Sequence, residues 1–245
     1  MRRRELIFTI CSAAVASPLI SRAQSAMLVI GFLHSGSPEA YQVTSVLKSL
    51  NEAGYIEGQN IEIDHQSARG QYERLPTLAA HLLNRRVALI VAMGFPAAAT
   101  AKSATSTIPI VFVTGGDPVE FGLVASLNRP GGNVTGVNQV LGALGPKRLE
   151  LLRELVPTAA KIAILVNPRN PISDRHLALE QAGAGAFGQQ VIVASAGAKE
   201  DLDAAFAMFV QQAANALIVN DDPFFISSRE QLMSTSGPSR QFAAS

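Results

Sequence analysis

Six short polar segments hold the side chains with which this 245-residue sequence could do chemistry. They are His34-Ser-Gly-Ser37, Met93-Gly-Phe-Pro96, Thr114-Gly-Gly-Asp117, Asn138-Gln139, Asn167-Pro-Arg-Asn170 and Asn220-Asp-Asp222. Each joins small residues to hydroxyl, amide, imidazole or carboxylate groups, the types that hydrogen-bond a small polar molecule. Several stand just before a helical pattern, where first-turn N–H groups and the helix dipole favour an anion such as a carboxylate. The candidate ligand-binding residues are His34, Ser35, Ser37, Gly94, Phe95, Ala97, Thr114, Asp117, Asn138, Asn167, Asn170, Asn220 and Asp222. Any one of these loops also reads as ordinary turn and capping chemistry, because Ser, Asn, Asp, Gly and Pro dominate turns. Six of them at the same end of successive strands point to a ligand cleft.

The spacings that carry catalysis do not occur. Gly31 and Gly36 after the first apolar run fit neither GxGxxG nor the phosphate loop GxxxxGK[ST]. His34, His65, His81 and His176 never fall at i, i+4, so no zinc-binding helix is expected, and no GxSxG nucleophile elbow appears. Asp221-Asp222 could form a metal or acid/base pair, but adjacent acids at a strand end are more often a solvated turn. The expectation is binding without turnover, with no cofactor and no metal.

The elements that must position the loops alternate at regular spacing. Strand-like apolar runs at 27–33, 60–65, 87–92, 108–113 and 134–137 are separated by helical patterns at 41–53, 72–84, 96–105 and 119–127. Gly142 and Gly145-Pro146 then punctuate the chain, and the alternation restarts with a helix at 147–156. It continues as strand 162–166, helix 173–187, strand 191–194, helix 199–212 and strand 216–220. This is an α/β pattern of βαβ units with parallel sheets in two Rossmann-like lobes, meeting near residues 138–146. The expected lobes are residues 24–138 and 139–233, the second incomplete, followed by an irregular tail at 234–245 that has neither period. The strand at 216–220 would then have an open edge.

At 48% hydrophobic and 16% charged, the composition is globular and excludes a disordered chain. The first 23 residues have the three parts of a secretory signal: a cationic start at Arg2-Arg-Arg4, an apolar stretch from Leu6 to Ile20, and small residues around Ser21-Arg-Ala23. The apolar stretch contains Pro18 and is too short for a span, which argues against stable membrane insertion after cleavage. Removing these residues leaves 16 cations against 18 anions, a net charge of −2, so there is no basic surplus for nucleic acid. Cys11 is the single cysteine and lies in the signal, which excludes a disulfide framework and thiol catalysis.

Longer motifs resemble a known family. They are RRRELI at 2–7, IGFLHSGSP at 30–38, LNEAGYIEGQN at 50–60, IPIVFVTGGDP at 108–118, NRPGGNVTG at 128–136 and KRLELLRELVP at 147–157. In this order they resemble the substrate-binding proteins of ATP-binding-cassette importers, in the subfamily that includes tryptophan and phenylalanine binders. The resemblance runs from residue 1 to about 233. It implies a type I periplasmic-binding fold, a small polar and amino-acid-like ligand closed between two lobes, and an ABC permease in the inner membrane as partner. It implies ligand contacts at Ser35 to Ser37, at Gly94 to Ala97, and at Asp117 with Pro118. Phe95 departs from the family, whose members usually place Thr or Ser there; an aromatic could stack on a ligand ring. Relatives also continue beyond the point where this sequence stops, so a C-terminally truncated binding protein is expected.

Two rival readings share the fold class. The effector-binding domain of a regulator would not carry an export signal, and a two-domain Rossmann-like enzyme would bring a nucleophile or acid/base pair to its cleft. The expected destination is the periplasm. N-terminal sequencing of the exported protein is expected to begin at Gln24; an intact Met1 on soluble periplasmic protein would refute cleavage after Ala23.

Overall fold

Continuous apolar runs become strands covered on both faces, as parallel sheets require. β1 (Leu28–His34) is buried over its last five residues. It lies between β2 (Ile61–Ser67) and β3 (Leu89–Met93), and β4 (Ile110–Thr114) and β5 (Val134–Asn138) follow in the order β2-β1-β3-β4-β5. All pairings are parallel. Register sets His34 against Met93, Met93 against Val113, and Thr114 against Asn138, which brings the carboxyl ends of four strands level. The second sheet has the order β7-β6-β8-β9, from β6 (Lys161–Val166), β7 (Gln190–Ser195), β8 (Ala216–Val219) and β9 (Ala243–Ala244). The computed structural model describes residues 27–38, 41–139, 144–236 and 243–244. The expected signal at 1–23 lies outside them, as do residues 140–143 of the expected lobe connection.

Helices cover both sheets. In the first lobe they are α1 (Tyr41–Glu52), α2 (Leu75–Asn84) and α3 (Phe95–Ala104), with a 3₁₀ turn at Tyr72–Arg74. The second has α4 (Gly145–Leu155), α5 (Ser173–Ala186), α6 (Lys199–Gln211), α7 (Pro223–Ser227) and α8 (Arg229–Ser236). One apolar cluster runs continuously through both lobes, from Leu33, Leu82 and Phe112 to Leu165, Phe206 and Phe209, joined through Ile172, Phe224 and Phe225. Two smaller clusters fill the opposite faces: Phe32, Val43 and Ile61 in the first lobe, Leu149, Leu152 and Ile164 in the second.

Two expectations need correction. The helix expected at 119–127 is a series of turns. Asp117 Oδ1 accepts from the Val119 and Glu120 N–H groups, the Pro118 carbonyl accepts from both Leu123 and Val124, and Gly122 at φ +68° diverts the chain. The tail expected to be irregular from 234 instead continues α8 to Ser236 and pairs Ala243–Ala244 in parallel with Ala216 and Leu217 of β8. The Pro223–Ser227 helix was not foreseen. Asp222 starts it by accepting from Phe224 N–H at 2.8 Å, a side-chain cap ahead of Pro223 in the first turn.

Glycine at 136 is a packing requirement, because a Cβ there would collide with the Phe112 carbonyl oxygen and ring on the paired strand. Gly185 in α5 has open space where its Cβ would stand. Gly136→Ala is therefore expected to destabilise the fold by about 1–3 kcal/mol. Gly185→Ala is expected to stabilise it by about 0.5–1 kcal/mol. Chemical denaturation of both variants checks the pair, and equal effects would refute the packing argument.

Candidate functional site

In an open parallel sheet, ligands bind beyond the carboxyl ends of the strands, where the chain order reverses. In the first sheet that point lies between β1 and β3, and in the second between β6 and β8. The two points face each other across a cavity of about 100 Å³. The first lobe lines it with His34, Gly36 and Ser37 at and after the end of β1, with Met93, Gly94 and Phe95 at the turn into α3, and with Val113, Thr114 and Gly115 at the end of β4; Gln139 follows β5. The second lobe contributes Asn170 and Ile172 after β6, then Asp221, Pro223 and Ile226 from the end of β8 and α7.

Of the residues singled out in the sequence, the structure brings His34, Ser37, Gly94, Phe95, Thr114 and Asn170 to the cavity wall. Ser35 and Ala97 are spent on each other: the buried Ser35 hydroxyl accepts from Ala97 N–H at 2.9 Å and ties the β1 loop to α3. Gly94 between them holds φ +89°, and a Cβ there would meet Ser35 Oγ at 2.9 Å. Asp117 is exposed and caps its own turn. Asn138 stands beside Thr114 at the end of β5, and its neighbour Gln139 reaches the cavity. Asn220 is buried beside His176.

Asn167 and Asp222 sit behind the wall. Asp222 is fully buried and accepts from Asn167 Nδ2 (2.9 Å), Asn170 Nδ2 (2.7 Å) and the Tyr72 hydroxyl (2.8 Å) as well as Phe224 N–H. Tyr72 belongs to the first lobe, so this carboxylate joins the lobes. Burial and the Asp222 charge push the Tyr72 phenol above its ordinary range, which keeps it a donor. Ion pairs reinforce the junction outside the cavity, Arg175 Nε to Glu120 Oε1 at 3.0 Å and Arg169 Nη1 to Glu73 Oε2 at 3.6 Å. The sequence reading missed Tyr72, Ile172 and Ile226, which lie in otherwise unremarkable helical or turn segments.

Charge in the cavity is sparse. His34 is 1% exposed, and its Nε2 lies 3.1 Å from His65 Nδ1; burial and then His65 lower its pKa to about 4, so it is neutral at pH 7. Asp221 carries the wall's carboxylate. Burial and Asp222 raise its pKa, and Arg148 opposes them. Thr114 Oγ1 accepts from Gly116 N–H at 3.3 Å and keeps its own proton to donate. Apolar surface comes from Met93, Val113, Ile172, Ile226 and Phe95, whose ring packs edge-on against Phe121 at 5.3 Å. Among the described residues, no group of three or more His, Cys, Asp or Glu could hold a metal ion.

The sequence profile described as ABC transporter substrate binding protein matches residues 29–241. The chain belongs to this family. A family relative, the tyrosine-binding protein of Clostridioides difficile (strain R20291), is 40% identical over 121 residues, which are 49% of this chain and 34% of that protein. The aligned part thus spans about a third of the relative's length. Among solved structures, a conserved domain protein from Vibrio cholerae superposes with a TM-score of 0.81 at 25% identity, over 89% of this chain and 74% of that one. An ABC domain from Streptococcus pneumonia in complex with L-Trp superposes with a TM-score of 0.78 at 24% identity and the same coverages, which bears on fold. These likenesses, together with the two parallel sheets, establish the type I periplasmic-binding-protein-like fold.

Two buried groups are expected to give stability opposite pH dependences. His34 has a folded-state pKa depressed from 6.5 to about 4, so its contribution is present above 6.5 and lost as pH falls towards 4. Glu180 is raised by burial from 4.5 to about 7, so its contribution is present below 4.5 and lost as pH rises through 7. Relative to the parent, His34→Gln is expected to lose less stability on acidification from 6.5 to 4, by a margin on the order of 3 kcal/mol. Glu180→Gln is expected to lose more between 7 and 4.5. Denaturation midpoints across this range check both signs.

Proposed function

We propose that this chain is an extracytoplasmic solute-binding protein of an ABC importer, and that its ligand is a small amino acid with an apolar, ring-bearing side chain. The observation that carries the ligand class is the pairing of one carboxylate, Asp221, with a neutral imidazole, hydroxyl and amide groups, and an apolar wall. A single, partly buried carboxylate at the wall asks for a single cation, and an α-ammonium supplies it. Ser37, Thr114 and Gln139 stand on the opposite lobe to hydrogen-bond the ligand's carboxylate. Phe95, Ile172 and Ile226 then enclose a side chain, with Phe95 placed to stack on a ring. The 40% identity to a tyrosine-binding protein supports an aromatic amino acid.

The family supports delivery of the ligand to a membrane permease. No helix among the described residues is long and apolar enough to cross a membrane. The reading is of binding without turnover. Calorimetry with L-tyrosine, L-tryptophan and L-phenylalanine is expected to show one-site binding of at least one of them. Asp221→Asn is expected to weaken that binding about tenfold or more, as for loss of a charged hydrogen-bond partner. Absence of binding to all three, or equal binding by the variant, would overturn the reading.

A further inference from the structure

Behind the cavity, two buried polar atoms have no partner among the described residues: Glu180 Oε2 on α5 and Asn220 Nδ2 at the end of β8. Arg148 of α4 lies in the same region. Its Nη2 donates to the Val219 carbonyl at 3.0 Å, and its Nη1 is 3.8 Å from Glu180 Oε1. The start of α4 seats directly on Glu180, since a Cβ at Gly145 would stand 3.1 Å from Glu180 Cγ. The Val219 carbonyl that Arg148 grips is two residues before Asp221, so the guanidinium is tied to the segment that carries the cavity's carboxylate.

We propose that Arg148 is a positioning residue of the cavity: held between Glu180 and the Val219 carbonyl, its guanidinium fixes the end of β8 and sets a positive charge behind Asp221, the group that meets the ligand's ammonium. This rests on the reading of Asp221 as the ammonium partner. Asp221 is partly buried and next in sequence to Asp222, a fully buried carboxylate whose four donors are already committed. Burial and this like charge both drive Asp221 towards its neutral form, and Arg148 is the group that opposes them. The other titratable groups around the segment do not supply that charge. His34 across the cavity and His176 on α5 both have lowered pKa values, chiefly through burial, and Tyr72 is held protonated. Glu180 has its pKa raised to about 7, so it anchors Arg148 without fully cancelling its field near neutral pH.

The test is an NMR titration of the Asp221 side-chain carboxyl carbon in the ligand-free full chain, paired with calorimetry of L-tyrosine binding across pH. Arg148→Met is expected to move the Asp221 titration to higher pH. The acid limb of the L-tyrosine affinity should move with it, weakening binding about tenfold near that limb, as for removal of an opposite charge beside a carboxylate. Arg148→Lys should restore most of the titration, because it keeps the charge while losing the planar fork. Glu180 is itself largely protonated where Asp221 titrates, so Glu180→Gln should leave the Asp221 titration close to the parent's. A merely structural Arg148 would lower the melting temperature and leave the Asp221 titration where it is in the parent.

An unmoved titration in Arg148→Met overturns the inference, even if Asp221→Asn abolishes binding. If that variant does not fold, an unmoved titration in Arg148→Gln, which also removes the charge, overturns it instead. An Asp221→Asn protein that binds L-tyrosine like the parent overturns the function proposed above, and is told apart because the Asp221 titration still shifts in Arg148→Met.

Discussion

The arrangement depends on one buried carboxylate. Burying an ionised group costs several kcal/mol unless hydrogen bonds replace its water, and Asp222 has four replacements. They come from different parts of the chain: a phenol from the first lobe, two amides from the loop after β6, and the N–H that opens α7. Satisfying Asp222 therefore fixes several things together. It orients Asn170 in the cavity wall, starts the helix that carries Pro223 and Ile226, and draws the turn at Tyr72–Arg74 against the second lobe. Removing the carboxylate would leave three buried side chains seeking partners, and that cooperative loss separates a hub from an isolated hydrogen bond.

With Asp222 committed to structure, its neighbour Asp221 is left to face the cavity. Two consecutive residues thus divide tasks that each could have performed, one holding the lobes and the other carrying charge at the wall. The division follows from the end of the strand: successive side chains point to opposite sides, so one is turned inward among donors and the next outward to the cleft. A similar economy holds at Ser35 and Ala97, whose mutual hydrogen bond fixes the position of Gly94 and Phe95 without itself touching the cavity.

Much of this was legible in the sequence. Apolar runs such as 27–33 and 162–166 read correctly as strands of an α/β fold, because buried parallel strands leave strong apolar signals. The polar loops likewise fell at the strand ends. What sequence alone did not separate was ligand-facing from structure-holding polarity. Asn167, Asp222 and Ser35 have the same residue types as Asn170, Asp221 and Ser37, and only their three-dimensional partners tell them apart. The segment at 119–127 has a helical run of apolar residues, but Asp117, Pro118 and Gly122 formed local hydrogen bonds that won over it. Tyr72 left no signal because its role comes from a residue 150 positions away.

The glycines of the first lobe have a mechanical meaning. Gly36 and Gly94 face Pro223, Gly70 faces Phe224, and Gly116 faces Ile172, each so near that a Cβ would stand 2.8–3.1 Å from an atom of the opposing residue. Backbone in one lobe meets rigid rings and a branched side chain in the other, with no flexible side chain between them to yield. These contacts act as end stops. On the ligand reading proposed above, the gap left between them would act as a gauge, sorting molecules by thickness before any hydrogen bond is counted. A larger solute would have to prop the stops apart and forfeit Tyr72's grip on Asp222, so steric exclusion and the loss of a buried hydrogen bond would penalise it together.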